Sequence, residues 1–554
     1  MIRALLLVFL LVSSIHAAPS VARGGKGAVA SVHPLASRAG LAAMESGGNA
    51  IDAAVAIGLT LGVVDGHNSG IGGGCFMLIR TAKGEFFALD GREMAGAAAT
   101  RDMFIRDGRG DTKLSQTGPL ASGVPGSVAA YSHALEKFGR KKLAELIEPA
   151  AVIAEQGFAI DEVYARKLKG VAEDIAKFDT SRAQFLKADG APFAEGEVLK
   201  LPDLAASYRA IGRDGADWFY RGAFAQTTGE WMKANGGILT AEDFANYQLK
   251  LREPVRGTYR GCEIVSFPPP SSGGVHVVQI LNIMETFDFA PMDDATRVHV
   301  IAEAMKLAFA DRAHWLGDPD FVPVPRGLLS KDYAKTLAAR IALDRIAEVP
   351  THGEPPAAHD DVFGKHTTHF STVDAEGNWV ACTQTVNTAF GSKVVIPGTG
   401  ILLNNQMDDF SVEPGVPNAF KLVGSEANAV APGKRPLSSM SPTIVLRDGQ
   451  PILALGAAGG PTIITQTVLN LHAILDRGLA LDAALAAPRF HHQWAPDELR
   501  IEKAWPADVM AKLKAFGHKL APVSLTGASN GVGFFDAQFI GASEPRVPGE
   551  ALAW

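Results

Sequence analysis

The alternation of polar and apolar residues gives its clearest prediction near the middle of the second half of the chain. Two runs rich in β-branched residues, 367–374 and 379–385, flank a short polar turn at 375–378 that contains a glycine. Such alternation around a glycine-containing turn is typical of a β-hairpin. The pattern therefore predicts two paired strands, which bring residues from both ends of this segment together.

The same kind of pattern predicts the other elements. Alanine-rich periodic segments indicate closely packed helices, and residues 127–260 are mainly amphipathic and helical. Residues 338–363 are polar and rich in Pro, Gly and His, which indicates an exposed segment that suits a scissile bond. The individual predictions are helices at 34–46, 50–62, 128–138, 143–156, 275–287 and 295–313, a second hairpin at 76–81 and 85–90, and strands at 444–447 and 451–455.

Composition narrows the class of protein. The chain has 554 residues, of which 47% are apolar and 20% charged, with a net charge of −7. These fractions are typical of a globular protein, and the absence of a general basic field argues against a nucleic-acid partner. The first 18 residues have the pattern of a secretory signal: an arginine, an apolar run at 4–12 and small residues at Ala17 and Ala18. The alternative is an uncleaved membrane anchor. No later segment reaches the length of a membrane span.

Threonine 367 is the candidate nucleophile. With Asp374 paired to Trp379, Thr368 lies opposite Thr385, and a one-residue bulge would shift this register by one place. A threonine hydroxyl needs an adjacent base, and cleavage just before Thr367 would supply its own α-amino group, whose pKa lies near 8. The alternatives are that these threonines are ordinary strand residues, or that nearby histidines bind a metal. Spacing three apart on a strand points His366 and His369 to opposite faces, which argues against the metal.

Other segments carry candidate binding groups. A glycine cluster at 66–74 enters a strand without the Lys-Ser/Thr of a phosphate loop, so we discount nucleotide binding. Arg92 follows the second hairpin, where it is either a carboxylate clamp or a surface salt bridge. Gly459 and Gly460 precede Pro461 at a predicted helix start, which suits an oxyanion, although an ordinary strand–helix turn has the same pattern. The helix at 295–313 carries Asp311 and Arg312, which we interpret as part of a solvated face or of pairs along the helix.

Taken together, these stretches resemble the γ-glutamyltransferase family of N-terminal nucleophile hydrolases. The resemblance covers essentially the whole chain after the signal. It is carried, in order, by GIGGGCFML, DGREM, TTHFSTVD, TQTVNTAFG, LLNNQMDDF, KRPLSSMSPT, GAAGG and APRFHHQW, from residue 70 to residue 494.

The resemblance implies an α+β fold, a four-layer αββα sandwich of the N-terminal nucleophile hydrolase type. It also implies self-cleavage between His366 and Thr367 into a large subunit, 19–366, and a small subunit, 367–554. By the same resemblance, Thr367 is the nucleophile and base, Thr385 positions it, and Gly459 and Gly460 form the oxyanion hole. The implied substrate contacts are Arg92, Ser438 and Ser439 for the α-carboxylate, and Asn387, Gln406 and Asp409 for the α-amino end.

The implied reaction is cleavage of the γ-glutamyl amide of glutathione and related compounds. A threonine acyl-enzyme would pass the γ-glutamyl group to water or to an amino acid or peptide acceptor, without a cofactor or metal. The implied protein is exported and periplasmic or secreted. One position departs from the pattern: Phe420 stands where many bacterial relatives carry a tyrosine that hydrogen-bonds to the asparagine matching Asn387. We expect altered acceptor handling from this change.

Three other functions remain to be compared with this one. A cephalosporin or glutaryl acylase has the same scaffold, but the presence of Gln406 and Asp409 argues against an acyl group that lacks the amino end. A metal hydrolase would use His366, His369, His491 and His492. An exported binding protein without catalysis is disfavoured because every expected functional position is filled.

Overall fold

The computed structural model describes residues 20–356 and 368–554. Its helices are α1 (Pro34–Glu45), α2 (Ala50–Val64), α3 (Thr112–Gln116), α4 (Ser127–Phe138), α5 (Leu143–Gln156), α6 (Glu162–Ile175), α7 (Asp179–Phe185), α8 (Pro202–Asp214), α9 (Ala216–Tyr220), α10 (Ala223–Ala234), α11 (Ala241–Ala245), α12 (Ser272–Met284), α13 (Asp294–Trp315), α14 (Lys331–Ala338), α15 (Thr462–Leu475), α16 (Leu481–Ala486) and α17 (Ala507–Ala515). Short 3-10 turns lie at Pro119–Ala121, Arg326–Leu329, Gln406–Asp409 and Glu426–Asn428.

The strands are β1 (Val21–Gly24), β2 (Gly27–Ser31), β3 (Gly74–Arg80), β4 (Phe86–Gly91), β5 (Ile105–Arg106), β6 (Arg109–Gly110), β7 (Phe158–Ala159), β8 (Val198–Leu199), β9 (Lys250–Arg252), β10 (Val255–Tyr259), β11 (Cys262–Ser266), β12 (His369–Asp374), β13 (Trp379–Thr385), β14 (Thr443–Arg447), β15 (Gln450–Ala458), β16 (Phe490–His491), β17 (Leu499–Glu502), β18 (Leu520–Val523), β19 (Ala528–Phe535), β20 (Gln538–Ala542) and β21 (Glu550–Ala553). The predicted helices and hairpins are present, with ends that differ by a few residues. The helix predicted at 143–156 is found unchanged as α5.

Two antiparallel seven-stranded sheets form the centre of the molecule. Their strand orders are β1-β20-β19-β15-β14-β11-β10 and β21-β2-β12-β13-β3-β4-β9. Buried apolar side chains from both sheets form one core between them, and the rings of Phe76 and Phe267 stack there with centroids 4.2 Å apart. Helices such as α2 and α4 cover the outer face of one sheet, while α12 and α15 cover the other. The result is the predicted αββα sandwich.

Both sheets combine strands from the two sides of residues 357–367. In the second sheet, for example, β12 pairs with β2, and β13 pairs with β3. In the first sheet, β14 pairs with β11, and β20 pairs with β1. A cut near residue 366 would therefore leave two chains joined by backbone ladders and a shared apolar core.

Helix α2 shows how sequence places an element against the sheet. Asn49 caps its N-terminus by accepting the backbone N–H groups of Ile51 and Asp52, and the Asp52 side chain accepts the N–H of Asn49 in return. All fifteen residues of α2 are buried, because it lies between the sheet and other helices. The helices in the described part of the chain all lack the combination of length and apolar character needed to cross a bilayer.

Candidate active site

The central hairpin has a register that differs by one residue from the predicted pairing. Val373, rather than Asp374, lies opposite Trp379. The predicted pairing of Asp374 with Trp379 is therefore wrong, and the alternative register, shifted by one residue, is the one observed. Asp374 instead closes the turn, because its carboxylate accepts the backbone N–H groups of Glu376 and Asn378, each at 3.0 Å. The local hydrogen bonds of this side chain thus decide the register.

The start of β12 approaches the end of β13. The backbone N–H of Gln384 donates to the carbonyl oxygen of Thr368 at 2.5 Å. Thr385 is buried, and its hydroxyl accepts the backbone N–H of Asn387 at 2.7 Å. His366 and Thr367 lie outside the described residues, and Thr368 is the first described residue after them.

A cavity of about 320 Å³ opens next to Thr368. It is bounded by residues from both halves of the chain, including three of the predicted site residues and Phe420. Those predicted residues are Asn387, Gly459 and Gly460. Segments far apart in sequence therefore meet at one concave site, which is the usual setting of a catalytic centre.

The two glycines adopt backbone conformations that favour glycine. Gly459 has φ of +135° and Gly460 has φ of +61°, directly between β15 and α15. A Cβ atom at Gly460 would lie 2.6 Å from the Phe420 ring, so the side chain of Phe420 covers this turn closely. The N-terminal end of α15 adds a positive partial charge here.

Asn387 connects this cavity to the polar segment at 404–409. It has a positive φ of +78°, and its amide nitrogen donates to the carbonyl oxygen of Asn405 at 2.9 Å. Its Oδ1 atom is buried and has no hydrogen-bond partner among residues 20–356 and 368–554. The Oε1 atom of Gln406 is likewise buried and has no hydrogen-bond partner among these residues. Each buried acceptor costs free energy when left unpaired, so a donor group of a ligand bound here would find two acceptors ready for it.

Arg92 is fully buried, so the surface salt bridge considered for it is wrong. Its guanidinium donates to Asp409 Oδ2 at 2.6 Å, to Glu93 Oε2 at 3.2 Å and to the carbonyl oxygen of Pro436 at 3.2 Å. Burial raises the pKa of Glu93 to about 7, although the charge of Arg92 opposes this rise. Gln406 Nε2 also approaches Asp409 Oδ2, at 3.4 Å.

A second buried arginine belongs to this cluster, and the sequence interpretation missed it. Arg312 donates to Ser272 Oγ at 3.0 Å and to Ser439 Oγ at 3.4 Å. The expectation that Asp311 and Arg312 form a solvated face is wrong, because both are buried between α13 and its neighbours. Burial lowers the pKa of Arg312 to about 10, and the Asp409 carboxylate opposes this effect. Ser438 lies beside Ser439, and its Oγ accepts the N–H of Met440 at 3.3 Å.

The predicted residues therefore occupy two adjoining regions. Thr368, next to Thr367, lines the open cavity together with Asn387, Gly459 and Gly460. The remaining substrate-binding candidates form a buried charged cluster that includes the unpredicted Glu93 and Arg312. Its predicted members are Arg92, Gln406, Asp409, Ser438 and Ser439. The signal that could have revealed Arg312 is its position in an alanine-rich helix without a polar face.

Of the histidines considered for a metal hydrolase, the three in the described residues form no cluster that could hold a metal, and His366 lies outside those residues. His369 hydrogen-bonds to the hydroxyls of Thr383 and Ser371 at 3.1 and 2.8 Å. His491 contacts Thr465 and Gln493 in the same way, and His492 contacts Asp497. Within the described ranges, one group of side chains has the proximity needed to hold a metal, and it consists of His299, Glu303 and His518.

The comparisons with known proteins agree with this arrangement. The family model described as gamma-glutamyltranspeptidase matches residues 36–554. The chain is 46% identical over 530 residues to a glutathione hydrolase proenzyme of Escherichia coli (strain K12), covering 95% of this chain and 91% of the relative. It is 38% identical over 544 residues to the acylase ACY 1 proenzyme of Pseudomonas sp. (strain SE83), covering 96% of this chain and 94% of the relative.

A solved structure supports the same fold. The crystal structure of cephalosporin acylase from Bacillus halodurans has a TM-score of 0.88 to this chain at 29% identity and covers 99% of both chains. This structural match, the family match over most of the sequence and the site residues that the fold brings together all support the same family. The chain belongs to the gamma-glutamyltranspeptidase family and is a γ-glutamyltransferase and hydrolase of the N-terminal nucleophile type.

Proposed function

We propose that this chain is an exported, self-processing enzyme that cleaves the γ-glutamyl amide of glutathione and related compounds through Thr367. The observation that carries the proposal is the cavity in which Thr368 and the glycine turn at 459–460 meet. Thr368 directly follows the proposed nucleophile in the sequence. Cleavage before Thr367 would give chains 19–366 and 367–554, still joined through the mixed sheets.

The proposed reaction uses the two functional groups of Thr367. Its α-amino group accepts the proton of its own hydroxyl as Oγ forms a bond to the γ-carbonyl carbon. The carbon–nitrogen bond then breaks, and the proton passes to the departing amine. Water or an amine acceptor next attacks the ester carbon and gives a proton to the α-amino group, and that proton passes to Oγ as the Oγ–carbon bond breaks. Thr385 would orient the hydroxyl, and the N–H groups of Gly459 and Gly460 would stabilise the oxyanion.

The buried cluster suits the charged end of a γ-glutamyl group. Arg92 and Arg312, with the hydroxyls of Ser438 and Ser439, offer cationic and neutral donors for its α-carboxylate. The free acceptor atoms of Asn387 and Gln406, with the Asp409 carboxylate, offer partners for its ammonium group. Binding energy from this remote end would orient the γ-carbonyl for attack.

The second candidate is a cephalosporin or glutaryl acylase. It is favoured by the acylase ACY 1 proenzyme and by the cephalosporin acylase structure, which match this chain over nearly its whole length. It is disfavoured by Gln406 and Asp409, since a glutaryl group has no ammonium to pair with the buried Asp409 carboxylate and the Gln406 amide oxygen. We expect hydrolysis of a γ-glutamyl anilide to exceed that of the matching glutaryl anilide, and the reverse order would favour the acylase.

Intact mass of the purified protein tests the proposal directly. We expect two chains, the smaller with the mass of the 188 residues from Thr367 to Trp554. The first residue of this chain, read by N-terminal sequencing, should be threonine. A single chain that stays uncut on incubation, or a cut elsewhere, would contradict the nucleophile assignment. Loss of residues 1–18 from the larger chain would support the proposed signal peptide.

Replacing Phe420 with tyrosine should change how the acyl-enzyme is shared between acceptors. Phe420 lines the cavity with Asn387, whose buried Oδ1 has no donor within the described residues, and a tyrosine hydroxyl could supply one. A hydrogen bond contributes about 1 kcal/mol, so we expect a several-fold change in the transfer-to-hydrolysis ratio. Product analysis with a γ-glutamyl anilide and glycylglycine measures this ratio. An unchanged ratio in an active Phe420→Tyr variant would show that the hydroxyl has no role.

A further inference from the structure

The cavity is bordered by charged groups that the reaction described above does not use. Arg92, Gln406 and Asp409 do not border the open cavity, whereas Asp65, Asp161, Arg166 and Lys167 do. If the glutamyl end lies in the buried cluster, the cavity is left for the other side of the scissile amide. That side holds the departing amine, and later the incoming amine that takes its place.

A chain of polar contacts joins Lys167 to the proposed nucleophile. The Lys167 ammonium donates to the side-chain oxygen of Asn68, and Asn68 Nδ2 donates to Asp65 Oδ1 at 2.7 Å. Asp65 Oδ2 in turn lies 3.5 Å from the hydroxyl of Thr368. The ammonium is thus held at a fixed place relative to the residue that follows Thr367.

Lys167 is poorly neutralised at this place. Its hydrogen-bond acceptor is an amide, while the carboxylates of Asp65 and Asp161 act on it only at longer range. Asp65 is itself buried, and burial raises its pKa to about 7, so its negative charge is incomplete near neutral pH. Arg166 also borders the cavity, but its charge is paired with Glu162 at 2.7 Å, so Lys167 is the cation available to a ligand. An anionic ligand group would complete this wall.

We propose that Lys167 is a specificity-determining residue that binds the free carboxylate of the leaving group and of the acceptor. The inference rests on the proposed γ-glutamyl transfer at Thr367. The ligand class is an amino acid or short peptide with a free C-terminal carboxylate, whose amine attacks the ester carbon as the Oγ–carbon bond breaks. Charge-assisted hydrogen bonds from an ammonium to a carboxylate are the strong class of such contacts, and a partly enclosed site screens them less than bulk solvent does.

The test compares two acceptors that differ only at this group. With γ-glutamyl p-nitroanilide as donor, transfer to glycylglycine and to glycylglycinamide is measured for the wild type, Lys167→Met, Lys167→Arg and Lys169→Met. Lys169 is the matched control, since it is an exposed lysine of α6 that does not border the cavity. The measured quantity is the ratio of kcat/KM for the acid to kcat/KM for the amide.

We expect the wild type to prefer glycylglycine by about tenfold, the scale of one charge-assisted hydrogen bond. Lys167→Met should bring the ratio close to one, through a higher KM for the acid. Lys167→Arg should keep most of the preference, and Lys169→Met should keep all of it. Added salt should reduce the wild-type preference.

Two results would overturn the proposal. One is a wild type that uses both acceptors equally, which decides the question even if Lys167→Met does not fold. The other is a Lys167→Met variant that keeps the wild-type ratio. Failure of the underlying function looks different, because a wild type that neither self-cleaves nor releases p-nitroaniline would show it before any acceptor is compared.

Discussion

Replacing Thr367 with alanine is expected to leave the protein as one uncut chain and to lower hydrolysis of γ-glutamyl p-nitroanilide by at least about 10³-fold. Removing a covalent nucleophile typically costs this much or more, because the binding groups and the oxyanion donors alone give little turnover. The physical reason is specific to this position. Alanine has no Oγ to attack the preceding carbonyl, so the new α-amino group never forms.

Intact mass and initial rates measure the two effects of Thr367→Ala separately. Thr367→Ser is the matched control, since it keeps both the oxygen and the amine and should be cut and active at a reduced rate. The substitution leaves the apolar core between the two sheets, as described, unchanged in sequence, so we expect Thr367→Ala to unfold near the wild-type temperature. A variant that is still cut before residue 367 and remains fully active would remove Thr367 from the mechanism.

The second large effect is expected at Asp409, which should decide the choice between γ-glutamyl and glutaryl substrates. Its carboxylate lies 2.6 Å from Arg92 and 3.4 Å from Gln406, in a fully buried cluster. Asp409→Asn keeps the shape and removes the charge that would pair with a substrate ammonium. Truncating one partner of a buried charge pair costs about 2–5 kcal/mol, so kcat/KM for the γ-glutamyl anilide should fall about 10²–10³-fold.

The glutaryl anilide separates recognition from structure. It has no ammonium, so its hydrolysis should fall far less in Asp409→Asn, and the γ-glutamyl preference should collapse. Arg92 keeps its contact with Glu93 in this variant, which limits the loss of stability. The matched control is Asp448→Asn in the exposed turn between β14 and β15, which should leave both rates unchanged. Equal losses for both substrates would make Asp409 a structural residue only.

Much of the architecture follows from local sequence. The periodicity of residues 143–156 predicts α5 to the residue, and the glycine-containing turn predicts the pairing of β12 with β13. Capping residues and glycines determine the conformation of the backbone next to them. Their effects can therefore be predicted from the local sequence, without knowledge of the tertiary structure. Gly459 and Gly460 are a further example, since the turn that they form requires their positive φ values.

Tertiary structure decided what depends on partners distant in the chain. The register of the central hairpin moved by one residue because the Asp374 side chain binds the turn amides. Arg92 is buried because Asp409, 317 residues away, neutralises it, and no local pattern contains that pair. Arg312 also lies in the interior beside partners distant in the chain, the hydroxyls of Ser272 and Ser439.

The wall containing Lys167 is the clearest case of this kind. On its helix, Lys167 looks like one of several solvated charges, and only the approach of Asn68 and Asp65 turns it toward a cavity. The sequence by itself determined the family, the elements and the candidate chemistry, because these depend on neighbouring residues and on motif order. The fold decided which charges are buried and what they face, because desolvation and pairing depend on residues brought together from across the chain.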